Sequence, residues 1–78
     1  MAANPTPLEA TVSRENLERY EAALSRLRPE DREAIVMRVE LGLSHEEIAR
    51  ALGKPSPDAA RMAVSRALVR LAEDLGHE

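Results

Sequence analysis

"LGLSHEEIARALGKPSPDAARMAVSRALVRLAED" occupies residues 41–74 of the 78-residue chain, and its punctuation decides the fold. Gly42 can take the left-handed backbone conformation that closes a preceding helix. Ser44 followed three residues later by Glu47 is a capping-box signature, and Leu43 and Ile48 occupy the two positions of a hydrophobic staple. The spacing predicts a short helix behind Ser44, with Ile48, Ala49 and Leu52 turned inward and Gly53 as its stop. Ser56 caps again, Pro57 suits the first position of the next helix, and Asp58 sits favourably in its first turn. Along that helix Ala60, Val64, Ala67, Leu68, Leu71 and Leu75 form one stripe. Arg61, Met62, Ser65, Arg66, Val69 and Arg70 are left turned partly or wholly outward, and Gly76 is the expected stop.

Upstream, Pro29 ends one helix and opens another, with Glu30 and Asp31 against the positive end of its dipole. That helix is expected from Pro29 to Leu41, with Ile35, Val36 and Val39 on its apolar side. Before it, Leu17, Tyr20, Leu24 and Leu27 recur at helical steps behind Ser13 as N-cap, and Val12 is placed to staple onto Leu17. Residues 1–12 carry two prolines and no sustained period, so they read as a flexible linker before a domain spanning residues 13–76. With no Phe, no Trp and one Tyr, the core must come from Leu, Ile, Val, Met and Ala on helix faces. The expected fold is an all-α, small four-helix domain with a C-terminal helix-turn-helix.

Length allows one domain at most, with a thin stability margin. The absence of cysteine removes disulfide scaffolds, thiolate metal sites and thiol nucleophiles, and it fits a reducing cytosol. No apolar run approaches the roughly 18 residues of a membrane span, and no signal peptide is recognisable, which points to the cytoplasm. Catalysis finds no support either. "HEEIA" has Ala49 where a metalloprotease helix needs its second His, so His45 reads as a polar first-turn residue. Glu30 with Asp31, Glu46 with Glu47, and Glu73 with Asp74 are adjacent, and a helix points adjacent side chains apart. The three glycines fall singly, so no phosphate-cradling loop exists and no cofactor or metal is expected.

Net charge is −3, but it is distributed unevenly. Residues 48–72 hold Arg50, Lys54, Arg61, Arg66 and Arg70 against Asp58 alone, while the first 47 residues and the tail are acidic. A short helix, a tight turn and a longer helix with an arginine-bearing outer face lets the first brace across a DNA backbone while the second enters the major groove. In that geometry Arg61, Met62, Ser65 and Arg66 reach base edges, and Arg50, Lys54 and Arg70 face phosphates. The same pattern is also met by arginines that only keep a helix in solution. A protein-interaction module, built on the acidic first half and its Leu17, Tyr20, Leu24, Leu27 stripe, is the alternative.

From Leu24 to Leu75, "LRPEDRE", "ELGLSHEEIARALG" and "SRALVRL" follow one another at a spacing that resembles region four of the sigma factors of bacterial RNA polymerase, specifically the extracytoplasmic-function group. The first block is like that family's Leu-Pro-Pro-x-x-Arg opening, the second like its scaffold helix, and the third like the end of its recognition helix. The resemblance implies promoter recognition at the minus-thirty-five element, contact with the flap of the polymerase β subunit, and masking by an anti-sigma factor. Nothing in the chain resembles region two, which melts DNA in that family. "GKPSPDAAR" is one residue longer than the family's turn, Ala59 and Ala60 stand where Thr and Val are common, and Ala63 where Arg is common. More of the readout would then fall on Arg61 and Arg66.

Overall fold

The computed structural model describes residues 7–76, with side chains from Arg14 onward, and all of its regular structure is helical. Helix α1 spans Pro7–Arg26, α2 spans Pro29–Ile35 and runs on as a π-helical turn over Val36–Glu40, α3 spans His45–Leu52, and α4 spans Pro57–Leu75. Residues 1–6 of the expected linker lie outside the described residues, as do the side chains of Val12 and Ser13. The backbone of residues 7–12 is helical, so Ser13 sits inside α1 and is not its N-cap. Pro7 is the better opener, because its ring already fixes the helical φ and it has no N–H to leave unpaired.

The caps downstream follow the sequence closely. Ser44 Oγ accepts from the Glu47 N–H at 3.1 Å and Glu47 Oε1 accepts from the Ser44 N–H at 2.8 Å, which closes a reciprocal capping box on α3. Gly53 ends α3 in the left-handed region at φ +69°, where the Lys54 N–H donates to the Ala49 carbonyl. Ser56 Oγ accepts from the Ala59 N–H, and Pro57 opens α4. The turn between α3 and α4 is thus only Gly53 to Ser56, with Gly, Pro and Ser each fixing one backbone choice.

The second helix departs from a plain α-helix in its last turn. The Leu41 N–H donates to the Val36 carbonyl, five residues back, and Gly42 turns at φ +67° so that the Leu43 N–H donates to the Met37 carbonyl. This widened turn changes which side chains face inward. Val39, expected on the apolar side, is 56% exposed, whereas Ile35 is fully buried as expected, Val36 is half-buried and Ala34 joins the core.

The core joins all four helices through Ala23 and Leu24 of α1, Ala34 and Ile35 of α2, Ile48 and Ala49 of α3, and Ala60, Val64, Ala67 and Leu71 of α4. Helix α4 packs chiefly against α2 and α3 and more lightly against α1. Half of the buried apolar residues are alanines, so helix axes approach closely with few interlocking side chains. Leu17, Leu68 and Leu75, expected inside, lie on exposed flanks. Arg26 ties the end of α1 to the end of α4 through a two-pronged bond to Asp74, with Nη2 to Oδ2 at 2.6 Å and Nε to Oδ2 at 2.9 Å.

Candidate nucleic-acid interface

The candidate site is built outward from the α3–α4 turn. Because Ala60, Val64 and Ala67 are fixed in the core, the helical period turns Arg61, Met62, Ser65 and Arg66 to solvent, and all four are exposed. Met62 is 45% exposed, and Val69 continues the same outward row one turn on. The N-terminal half of α4 therefore presents two arginines, a thioether and a hydroxyl on one surface. Those groups can donate to base edges and touch thymine methyls.

The cations around that surface differ in how they are held. Arg61 folds back on Asp58 through Nε at 3.0 Å and Nη2 at 2.8 Å, an exposed pair one turn apart. Arg50 bonds Glu46 at 3.1 Å on the exposed side of α3. Lys54, in the turn, bonds Glu30 at the start of α2 and holds its carboxyl below the usual carboxylate range. Solvent-exposed pairs of this kind contribute little to stability, so each cation can be transferred to a phosphate at small cost. Arg66 has no ion-pair or hydrogen-bond partner among the described residues.

Arg70, which the sequence grouped with the phosphate contacts, is exposed and also meets a buried acid. Its Nη1 donates to both oxygens of Asp31, at 3.0 and 3.1 Å, and Arg28 Nε reaches the same carboxylate at 3.3 Å. Asp31 is 6% exposed and is the one buried charged side chain among the described residues. The sequence marks Asp31 only as a first-turn acid of α2, and its partner lies 39 residues away, so no local pattern announces the pair. Arg28, Asp31, Ala34, Ala63, Arg66 and Arg70 line one small cleft between α2 and α4.

A larger concavity lies elsewhere. A groove of about 660 Å³ runs between α1 and the π-helical turn, with Leu17, Leu24, Val36 and Val39 on its apolar walls and Glu21, Arg32 and Glu40 among its polar ones. Tyr20 lines it and donates its hydroxyl to Glu40 at 2.9 Å. Burial, together with that bond, pushes the Tyr20 phenol up to about 12. No residue of α3 or α4 contributes to this groove, so the two surfaces are separate. Among the described residues no helix is long and apolar enough to cross a membrane, and no group of three or more His, Asp or Glu side chains could hold a metal ion.

A family model described as "Sigma-70, region 4" matches residues 17–71, which contain the groove, the core and the outward face of α4. No curated protein and no solved structure matches the chain.

Proposed function

The chain belongs to the sigma-70 region 4 family, a DNA-binding module of transcription initiation that recognises the minus-thirty-five promoter element and contacts RNA polymerase, and we propose that its α4 is the recognition helix of an extracytoplasmic-function type of sigma factor. In this reading α3 braces across the DNA backbone and α4 enters the major groove. Arg61 and Arg66 donate to guanine edges, Met62 and Ser65 complete the base-facing surface, and Arg50 and Lys54 hold phosphates. Arg70, grouped with the phosphate contacts on sequence grounds, is read instead as a partner of Asp31, because its acid is buried where those of Arg50, Lys54 and Arg61 are exposed. The observation that carries the reading is the outward row Arg61, Met62, Ser65 and Arg66 on a helix capped at Ser56 and separated from α3 by a four-residue turn.

Arg66→Glu tests it. This exposed substitution leaves helicity intact and abolishes binding to a minus-thirty-five duplex; a variant that keeps its affinity contradicts the assignment.

The groove favours a second role for the same domain. Its apolar walls and charged rim suit an amphipathic segment of a protein partner. We assign it to the flap of the polymerase β subunit, with an anti-sigma factor as the competitor that covers it. Both roles belong to the cytoplasm, where polymerase and promoter meet.

A further inference from the structure

The contact between α2 and α4 has an unusual division of labour. Ala34 of α2 and Ala60 and Ala67 of α4 are essentially fully buried beside Ile35, Val64 and Leu71, and apolar packing of this kind supplies contact area without a directional bond. Among the described residues one strongly directional contact from α2 to α4 crosses this seam: the buried Asp31 carboxylate, gripped on both oxygens by Arg70 Nη1. Directional bonds of this kind fix register where apolar packing does not. Arg70 lies one helical turn beyond Arg66, so whatever sets the position of Arg70 sets that of the base-facing row as well.

We propose that Asp31 and Arg70 form the register pin of the recognition helix: Asp31 is a positioning residue that holds α4 at one rotation and one axial setting against α2, and Arg70 acts through that carboxylate and not through a DNA phosphate. The proposal rests on the reading that α4 carries the DNA contacts. Arg28 supports the pin from the α2 side by meeting Asp31 from the solvent edge. The pin thereby controls sequence discrimination without touching a base.

Breaking one half of a buried pair leaves an uncompensated charge and can unfold a domain this small, whereas replacing both halves with apolar groups of similar size is often neutral. The informative variant is therefore the double substitution Asp31→Leu/Arg70→Met, with Arg70→Met alone beside it. Two measurements on the full chain decide the matter. In the first, the absence of native cysteine allows a spin-label pair at Glu33→Cys and Ala72→Cys, both exposed and outside the proposed DNA contacts. The pin predicts one narrow distance population in the parent and a broadened or shifted one in the double variant. An unchanged distribution in a folded double variant overturns the proposal, whether or not the chain binds DNA.

In the second, affinities for a minus-thirty-five duplex and a scrambled duplex are compared across salt concentrations. The expected result is a fall of about tenfold in the ratio of the two affinities, the worth of about one lost arginine–guanine pair, with the salt slope of Arg70→Met unchanged. A slope reduced by about one, with the ratio preserved, makes Arg70 a phosphate contact and overturns the proposal. Failure of the parent chain to distinguish the two duplexes would instead strike the DNA-reading assignment, leaving the spin-label result to judge the pin.

Discussion

Glu47 shows how one side chain couples local structure to solution conditions. The Ser44 N–H donates to its carboxylate and holds it below the usual carboxylate range. A depressed folded value means that the cap contributes fully above the unfolded carboxylate pKa of about 4.3 and loses that contribution as pH falls through the lower folded value. Glu30, held down by Lys54, acts in the same window and with the same sign. Glu47→Gln keeps an acceptor for the cap but cannot titrate, so the acid limb of a thermal-stability profile should flatten below about pH 4 without vanishing. An acid limb identical to that of the parent would contradict the coupling. The capping box was legible in the sequence because its donors and acceptors are three residues apart. The partner of Asp31 was not, because a carboxylate in the first turn of a helix has a sufficient local explanation in the dipole and gives no sign of a guanidinium arriving from α4.

The helices divide in the same way between what is encoded locally and what is not. Gly42, Gly53, Ser44, Ser56 and Pro57 punctuate the chain at fixed offsets from apolar residues, and α3 and α4 form between the bounds they imply. Gly53 carries a sharp expectation. It sits at φ +69° with open space around it, so Gly53→Ala meets no neighbour and its cost is purely the left-handed backbone, about 1–2 kcal/mol. In a domain of this size that lowers Tm by about 4–8 °C or more in calorimetry. Gly76, at φ −83°, needs no such freedom, and Gly76→Ala should leave Tm unchanged or slightly raised. Equal losses at the two positions would refute this distinction. The π-helical turn at Val36–Glu40 had no sequence signal, since "VMRVE" satisfies an α-helical period equally well. Its effect is to expose Val39 and to bring Glu40 to Tyr20, and so to shape a groove that the Leu17, Tyr20, Leu24, Leu27 stripe only partly anticipated.

Taken together, the four helices carry two separate surfaces on a small alanine-rich core: an outward arginine face on α4 and an apolar groove between α1 and the end of α2. Separation makes their functions independently removable. Val39→Asp, at an exposed groove position, should weaken capture by the isolated β flap at least about tenfold, as expected when a charge is buried unpaired at an interface. It should leave DNA affinity within about twofold, because α3 and α4 do not line the groove. Loss of both activities in a folded Val39→Asp protein would mean that the surfaces are coupled. The overall negative charge is no obstacle to a polyanion partner, because residues 48–72 hold five cations against Asp58 alone and the other acids lie outside that segment. The most direct measurement is a fluorescence-anisotropy titration of the chain against a minus-thirty-five duplex of the extracytoplasmic-function type and a scrambled duplex, each at about 50 and about 200 mM salt. Neutralisation of about two phosphates predicts roughly a tenfold loss of affinity across that salt range. The prediction is tighter binding to the promoter duplex, lost in Arg66→Glu; equal or salt-independent binding of the two duplexes would contradict it.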